Sequence, residues 1–584
     1  MAPLNPLQKR ILLVLFIVVA LTRFPAVAHS LNDWDEALFS MGVAEYDVNL
    51  HHPHPPGYPL FVAAAKAIHL AGINEYRSLQ AIVLLGAMLL FPALVFFARE
   101  LGFEFATAVC AALIFTFLPN VWVYGGTGFS DVPALTLGIA ACTLLLRGRH
   151  HARSYVLGAI VLGIAAGVRL PNLVIGFVPA LLSTGYRLRA RDFRSVLAAI
   201  VLGGTILGGS YAGAALSSGT IEQYRTRMRE QSEYVRNVDS WRNPHRAPLR
   251  DLAKVFFFWP MRQQQQMASF SALAGIGIAA VLLRRRWPLL LPLAVFGPTM
   301  ILAWLNLDIE AVGRYAIAYL FMHALFVAYA LQFIGRKPAV QAALTAVVVL
   351  VFAVWTWPAL RLQRTTDPPA TEALLWIRQN VPKTAGVYVQ GGLGPHATYL
   401  LPEHRLTFYE RSEEISRIGP ETWVVDTRSL EGARNFAWPR TNPMWKILRR
   451  RNFEAAVVKL HSLVAFHEGW HLPEGEGADT FRWMGKEARA TLPPIPSGGL
   501  LSMRIYVPVD TIQPPPTIEV RVNGGLVDRF VGKEAFVEKA WRVASRKDAP
   551  NELRISTSDV VVPGNGDTRE LGLRIDALSW TPAL

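Results

Sequence analysis

The chain has 584 residues, of which 52% are hydrophobic and only 17% are charged, and its formal net charge is +15. A soluble globular domain carries about 25% charged residues, so this composition excludes a disordered or fibrous protein and disfavours a wholly soluble one. Residues 1–360 hold 17 of the 43 acidic residues, although they hold half of the 58 basic ones. The first part is therefore apolar and basic, whereas residues 361–584 have the composition of an ordinary soluble region. The two cysteines, Cys110 and Cys142, lie in apolar runs, which leaves no disulfide framework and no cysteine-based zinc site.

Apolar runs in the first part predict about eleven transmembrane helices, because a membrane-spanning helix needs roughly 20 mostly apolar residues. The predicted spans are 11–28, 79–98, 105–124, 131–146, 155–170, 171–185, 195–216, 267–283, 287–305, 313–334 and 338–357. The two short runs that flank Arg169–Pro171 are also compatible with one broken hairpin.

The short loops between these spans predict the orientation. The basic segments 147–153, 186–194, 284–286 and 335–337 fall on one side, together with Lys9 and Arg10, and a basic side is cytoplasmic. An odd number of spans places the C-terminal region outside. We therefore expect a multi-pass protein of a bacterial inner membrane with a periplasmic C-terminal region.

The N-terminal segment has an alternative interpretation. Lys9-Arg10, an apolar stretch and Ala26-Val27-Ala28 also fit a cleaved signal peptide over residues 1–28. The orientation of the following segments is the same in both cases.

The region after residue 360 predicts two domains. Residues 361–475 mix a helix (TEALLWIRQN), short strands (GVYVQ, TWVVD, AAVVKL) and a second helix near 443–451, which is typical of a small α/β domain. Residues 476–584 alternate apolar and polar side chains in LSMRIYV, IEVRVN, ELRIST and LGLRIDAL, separated by Gly-rich turns. This alternation predicts a β-sandwich.

The first exterior loop concentrates acidic residues. Five carboxylates lie within 15 residues: Asp33, Asp35, Glu36, Glu45 and Asp47. The spacing of apolar residues predicts a short helix over 35–46, and Asp35 at its start could serve only as an N-cap. The following segment, PHPPGYPL at 53–60, contains enough proline to form a stiff, sharply turned wall.

These features carry a family resemblance. An acidic pair after the first membrane helix, a short helix beginning Asp35-Glu36-Ala37-Leu38-Phe39, and then HPPGYPL resemble the GT-C superfamily of integral-membrane glycosyltransferases. The most similar group is glycosyltransferase family 39, the dolichyl-phosphate-mannose protein mannosyltransferases and their bacterial relatives. The resemblance covers about residues 1–357, and the C-terminal region departs from the eukaryotic members.

The resemblance implies a mannosyltransferase-like enzyme that takes a sugar from a polyprenyl-phosphate carrier within the lipid bilayer. The acceptor, which is a glycan, a lipid or a protein, would attack the anomeric carbon and invert its configuration, and no nucleic acid is expected as a partner. Asp35 would be the general base. Glu36 or Asp33 would orient the acceptor or hold a divalent cation, and no other cofactor is expected.

A leaving lipid phosphate needs cationic partners. Arg169 in AAGVRLPNL and Arg314-Tyr315 in AVGRYAIAYL lie at predicted exterior helix ends, and relatives often carry basic residues at comparable places. The alternatives are snorkelling to lipid headgroups, or internal salt bridges to acidic residues such as Asp131, Asp308 or Glu310.

Two further exterior segments supply candidate substrate contacts. The loop 217–265 is basic and carries Tyr224 and Arg225, so it could close over the donor or lie as an amphipathic helix on anionic lipid. His54 and Tyr58 in the proline-rich segment are candidates for hydrogen bonds to substrate. His51, His52 and His54 also suggest a metal site, but the intervening prolines prevent the helical spacing of a metal-binding motif.

Two other functions remain open. A transporter or flippase of a lipid-linked glycan should show carboxylates near the middle of its helices and paired halves. A non-catalytic anchor that displays a glycan-binding β-sandwich should tolerate replacement of Asp35.

Overall fold

The computed structural model describes residues 3–260, 264–307, 309–410, 422–429, 433–448, 453–459, 464–474, 481–495, 498–546, 549–564 and 566–582. The chain forms two compact units. The helical unit comprises Met1–Thr371 and Trp438–Phe453, and the β-rich unit comprises Glu372–Ala437 and Glu454–Leu584. A helical first part and a β-rich C-terminal part confirm the predicted fold class in outline.

The described part of the helical unit consists of α-helices, and short 3-10 or π-helical segments lie between some of them. They are α1 (Pro6–Leu21), α2 (Trp34–Ala44), α3 (Pro59–His69), α4 (Glu75–Glu100), α5 (Phe105–Thr116), α6 (Pro119–Tyr124), α7 (Asp131–Gly148), α8 (Ala152–Val168), α9 (Asn172–Arg189), α10 (Phe193–Ser217), α11 (Ile221–Tyr234), α12 (Leu249–Ala253), α13 (Gln264–Leu283), α14 (Leu291–Asn306), α15 (Val312–Tyr315), α16 (Leu320–Gly335) and α17 (Pro338–Thr365).

Several of these helices are long and apolar enough to cross a membrane. Among the described residues there are five, or six if a bent pair is one span: they lie in Glu75–Glu100, Asp131–Gly148, Phe193–Ser217, Trp287–Asn306 and Pro338–Asn380, and the bent pair is Val312–Ala318 with Leu320–Gly335. Shorter apolar helices include Phe105–Thr116 and Ala152–Val168. A multi-pass membrane protein is therefore supported, and the number of eleven spans stays a prediction.

Two of the predicted spans are interrupted in the structure, and the predicted break around Arg169–Pro171 agrees with it. The run 105–124 is divided because Pro119 begins a new helix, α6, where its missing N–H costs nothing. The run 313–334 bends by 69° between α15 and α16. The residues around Arg169–Pro171 separate two helices, α8 and α9.

The predicted helix of the first exterior loop is α2, and it begins earlier than expected. Asp33, rather than Asp35, is the N-cap: its side chain accepts from the Asp35 N–H, and Glu36 completes a capping box. The alternative in which Asp35 only caps the helix is therefore wrong, because Asp35 is the second residue of α2.

Residues 1–28 are integrated into the helical unit. Val19 and Ala26 are fully buried. The Ala28 N–H donates to the Gly126 carbonyl at 2.9 Å, and the Gln363 amide donates to the Ala26 carbonyl at 2.5 Å. The segment that resembles a signal peptide thus forms part of the core of this unit.

The β-rich unit begins with a five-stranded mixed sheet. Helices α18 (Pro369–Asn380) and α19 (Gly394–Leu400) accompany it, and its strands are β1 (Gly386–Gln390), β2 (Arg405–Tyr409), β3 (Thr422–Asp426), β4 (Arg434–Ala437) and β5 (Glu454–Lys459). The strand order is β2-β1-β3-β5-β4, with β1 parallel to β2 and β3. The helix predicted near 443–451 is a single 3-10 turn, Pro443–Lys446, which packs in the helical unit; residues 449–452 lie outside the described residues.

Two further five-stranded sheets form the β-sandwich. Their strands are β6 (Ala465–Phe466), β7 (Trp470–Glu474), β8 (Phe481–Met484), β9 (Glu487–Leu492), β10 (Gly499–Tyr506), β11 (Thr517–Val522), β12 (Gly525–Val531), β13 (Phe536–Val543), β14 (Asn551–Thr557) and β15 (Leu573–Pro582). Because β6 and β7 pair with β9 and β8, the sandwich begins near residue 465 and not at the predicted residue 476. Alternating side chains such as Leu501, Ile518 and Ile555 fill its core.

Candidate active site

Four charged side chains from distant parts of the chain form a chain of ion pairs in the helical unit. Arg314 Nη1 lies 2.5 Å from Asp35 Oδ2, and Arg314 Nε lies 2.9 Å from Asp131 Oδ2. Arg169 Nη2 lies 3.1 Å from Asp131 Oδ1. We call Asp35, Asp131, Arg169 and Arg314 the charge cluster. Arg314 is 7% exposed and Asp131 is 8% exposed, so the cluster is largely withdrawn from water.

Helix ends position the members of the charge cluster. Asp35 lies in the first turn of α2 and Asp131 is the first residue of α7; carboxylates are stabilised at helix N-termini by the helix dipole. Arg169 is the C-cap of α8 and Arg314 lies in the short helix α15. The structure therefore brings three of the predicted site residues, Asp35, Arg169 and Arg314, into one place.

Aromatic and hydroxyl groups hold the two guanidinium groups. The ring of Phe129 lies 3.9 Å from the Arg314 guanidinium carbon, and the ring of Tyr315 lies 5.7 Å from it. Ser130 Oγ accepts from Arg169 at 3.1 Å. These contacts fix the planes of the guanidinium groups, as recognition of an anion by arginine requires.

The proline-rich segment contributes His54 and Tyr58 to the same place. His54 Nδ1 lies 3.9 Å from Asp35 Oδ1, and His54 Nε2 lies 3.1 Å from the Tyr58 hydroxyl. Burial lowers the pKa of His54 although Asp35 opposes this shift, and burial raises the pKa of Tyr58 to about 12. His54 is therefore a neutral imidazole at neutral pH, next to the Asp35 carboxylate.

The basic loop contacts the first exterior loop through Tyr224. Its hydroxyl donates to the Pro56 carbonyl at 2.8 Å, so α11 is attached to the proline-rich segment. Arg225 is exposed on the same helix, and the structure does not place it in the charge cluster.

Glu36 and Asp33 have a different environment from Asp35. Glu36 is completely buried; its Oε2 accepts from the N–H groups of Asn32 and Asp33 at 2.6 and 3.1 Å. Its Oε1 accepts from the Gly128 N–H at 2.6 Å and from the Tyr76 hydroxyl at 3.2 Å. Burial raises the pKa of Glu36 to about 7 against the opposing effect of the backbone N–H groups.

A cavity of about 510 Å³ adjoins the charge cluster. Asp131, Arg169 and Tyr315 are among its lining residues, together with the polar Asn172, Thr299 and Asn306. The rest of the lining is mostly apolar and includes Leu135 of α7, Val174 and Ile175 of α9, Leu302 of α14, and Leu170 and Leu307 next to these helices. The cavity thus has two members of the charge cluster in a mostly apolar lining.

Sequence reasoning assigned Asp131 only as a salt-bridge partner and did not place Phe129 or Ser130 in the site. Asp131 pairs with both candidate arginines, while Asp308 lies outside the described residues. The available signal was an acidic residue that follows a Gly-rich turn and begins an apolar run (GGTGFSD). Among the described residues, no three His, Cys, Asp or Glu side chains form a group that could hold a metal ion.

No protein-family profile and no curated protein sequence matches the chain. Among solved structures it is similar to ArnT from Cupriavidus metallidurans bound to undecaprenyl phosphate, with 13% identity, a TM-score of 0.49, and coverage of 76% of this chain and 97% of that one. It is also similar to the arabinofuranosyltransferase AftD from Mycobacteria (12% identity, TM-score 0.41) and the arabinosyltransferase EmbB from Mycobacterium smegmatis (10%, 0.40). All of this chain aligns with them, covering 62% of AftD and 65% of EmbB. All three are GT-C glycosyltransferases.

Proposed function

We propose that this chain is a membrane glycosyltransferase that moves a sugar from a polyprenyl-phosphate donor to an exterior acceptor. The observation that carries the proposal is the cavity of about 510 Å³, which has a mostly apolar lining and includes Asp131 and Arg169 of the charge cluster in its wall. A polyprenyl phosphate combines an anionic head with an apolar chain. The ligand named in the ArnT structure, undecaprenyl phosphate, belongs to this chemical class.

Arg314 and Arg169 are the proposed partners of the phosphate. Within the described residues, the carboxylates engage Nε and Nη1 of Arg314, and its Nη2 is available to a phosphate oxygen. Arg169 lines the cavity directly. Preorganised cations at the position where a leaving group gains charge lower the barrier for its departure.

Asp35 is the proposed general base. The acceptor hydroxyl attacks the anomeric carbon, the bond from that carbon to the phosphate oxygen breaks, and the lipid phosphate leaves with the electron pair. The acceptor proton passes to the Asp35 carboxylate. A single displacement of this kind inverts the anomeric configuration. His54, whose Nδ1 lies 3.9 Å from Asp35 Oδ1, is the proposed residue that orients the carboxylate or the acceptor.

The distribution of carboxylates disfavours the transporter. In α4 and α7, the acidic residues Glu75, Glu100 and Asp131 occur only at helix ends, whereas a transporter would carry them near the middle of the membrane. Mannose as the sugar, membership of family 39, and a glycan, lipid or protein as the acceptor all belong to the proposal.

The donor site is tested by the binding of undecaprenyl phosphate to the purified full chain, measured by native mass spectrometry in detergent. We expect Arg314→Ala to weaken binding at least about tenfold, and Arg314→Lys to weaken it less, because lysine keeps the charge but loses the planar fork. The control is Arg529→Ala, which removes an exposed arginine of the β-rich unit. Equal affinity of wild type and Arg314→Ala would remove Arg314 from the site.

The transfer reaction is tested in cells. A strain that lacks the gene should lose one sugar from its envelope glycans, lipids or proteins, which mass analysis would identify. The wild-type chain should restore this sugar, and Asp35→Asn should not. An unchanged envelope in the deletion strain would contradict the proposed transferase.

A further inference from the structure

The environment of Glu36 shows a link between two exterior loops. Its Oε2 accepts from the N–H groups of Asn32 and Asp33, which precede α2. Its Oε1 accepts from the Gly128 N–H, which precedes α7 and is 92 positions away. One carboxylate therefore joins the loop that precedes α2, which carries Asp35, to the loop that precedes α7, which begins at Asp131.

The link closes a ring with the charge cluster. At one end, Glu36 connects the two loops through backbone N–H groups; at the other end, Arg314 connects Asp35 and Asp131 at 2.5 and 2.9 Å. The Tyr76 hydroxyl reinforces the first end, since it contacts Glu36 Oε1 and donates to the Ser30 carbonyl at 3.0 Å. Movement of either loop would change the distance between the two aspartates that hold Arg314.

Position 128 is fitted to this link. A Cβ atom at Gly128 would lie 2.9 Å from Cε2 of Tyr76 and 3.2 Å from Oε1 of Glu36. A side chain there would push the loop away from the Glu36 carboxylate. Glycine at this position therefore allows the close approach that the 2.6 Å hydrogen bond requires.

We propose that Glu36 is a positioning residue that sets the separation of Asp35 and Asp131, and with it the placement of the arginine they share. It does so without touching substrate, because its side chain is completely buried. The catalytic consequence of this inference rests on the proposed function, whereas the link between the loops is independent of it. It replaces the expectation that Glu36 orients the acceptor or holds a cation.

The link is tested first on the unliganded full chain, by thermal unfolding in detergent at about pH 5, where burial of a charged Glu36 does not offset the loss of its hydrogen bonds. Both side-chain oxygens of Glu36 accept hydrogen bonds, and Glu36→Gln leaves only one of them as an acceptor. Gly128→Ala moves the loop before α7 away from the Glu36 carboxylate. Each should lower Tm, and the double variant should lower it no further than the larger single effect, because both break the same link. Gly204→Ala is the control, since nothing lies within 4 Å of its Cβ position; its effect should add to that of Glu36→Gln. Additive effects of Glu36→Gln and Gly128→Ala would overturn the link.

The catalytic consequence is tested with membranes from the strain that lacks the gene, which supply both donor and unmodified acceptor. Purified Glu36→Gln should transfer sugar about 100-fold more slowly at saturating membranes, the loss expected from a misplacement of about 1 Å. The amount of membrane that gives half the maximal rate should rise by far less than the maximal rate falls. Glu36→Asp, which keeps the charge but is one methylene too short, should not restore the rate.

A higher half-saturating amount of membrane with an unchanged maximal rate would show that Glu36 contacts substrate, and a wild-type rate in Glu36→Gln would show that the separation of the aspartates is unimportant. Both results overturn the positioning role. If the wild-type protein transfers no sugar from these membranes, the proposed function fails, and the unfolding experiment alone decides the link.

Discussion

Two carboxylates in this chain have the same arrangement and different surroundings. Asp131 in the helical unit bridges Arg169 and Arg314, and Glu487 in the β-rich unit bridges Arg489 and Arg554. The side chain of Asp131 is 7% exposed, and that of Glu487 is 33% exposed.

The difference in burial changes what each bridge contributes. Removing charges from water costs several kcal/mol per ion, and their mutual attraction offsets this cost only with good geometry and additional hydrogen bonds. A buried cluster is therefore a poor way to gain stability, which favours a functional reason for keeping it. Exposed pairs such as those of Glu487 cost little and contribute little.

The largest effect in this comparison is expected for Asp35, which pairs with Arg314 in the charge cluster. Asp35→Asn keeps the shape but cannot accept the acceptor proton. General bases contribute about 100- to 10,000-fold, so sugar transfer should fall by at least the smaller factor, measured with membranes of the deletion strain. Binding of undecaprenyl phosphate should hardly change.

The matched control is Asp33→Asn. Asparagine caps a helix about as well as aspartate, so this variant should retain most of the transfer activity. A collapse of activity at Asp33 with none at Asp35 would assign the base to the capping residue instead.

Asp131→Asn should have the next largest effect. It leaves Arg169 and Arg314 with a neutral partner in a buried place, and breaking a buried ion pair typically costs about 3–5 kcal/mol. We expect a clear fall in the Tm of the full chain in detergent. An unchanged Tm would mean that water or lipid solvates the arginines, and that the comparison of burial does not apply.

How far the sequence could predict this site depends on how many residues along the chain separate the partners of each interaction. The sequence contains the local signal for Asp33, because Asp33-x-x-Glu36 fits a capping box, but the N-cap was predicted two residues too late, at Asp35. The breaks near Pro119 and Tyr319 lie inside long apolar runs, where hydropathy alone does not show a bend.

The pairing of residues far apart could not be obtained in this way. The hydrogen bond between Glu36 and Gly128 and the ion pair between Asp35 and Arg314 join positions separated by 92 and 279 residues. A single sequence identifies each of these residues as polar near an apolar run. It does not show which of them meet, or that Glu36 is buried while Asp35 faces the arginine.

Burial of Glu36 also predicts a pH dependence. Its pKa is raised from 4.5 to about 7 by burial, so between these values the folded protein keeps a proton that the unfolded chain has released. The contribution to stability is fully present below pH 4.5 and is lost as the pH rises to about 7. Relative to Glu36→Gln, wild type should lose on the order of 3 kcal/mol over this interval, measured by unfolding in detergent. If the stability of the two proteins changed in parallel with pH, the raised pKa of Glu36 would be contradicted.

The smallest effect is expected for Glu487→Gln, which makes the same change as Asp131→Asn in an exposed setting. Arg554, which donates a hydrogen bond to Glu487, lowers the pKa of this carboxyl, so its contribution is present above pH 4.5 and is lost as the pH falls below that value. Exposed pairs contribute about 0.2–1 kcal/mol, and two arginines opposite each other on β9 and β14 repel once the carboxylate is neutral. The fall in Tm should therefore be small, and sugar transfer should be that of wild type.

In about 1 M salt, where charges are screened beyond roughly 3 Å, the effect of Glu487→Gln on Tm should nearly vanish. The effect of Asp131→Asn should persist, because its cluster is shielded from solvent ions. A large, salt-resistant loss at Glu487 would mean that this bridge is buried by a contact that the isolated chain does not make.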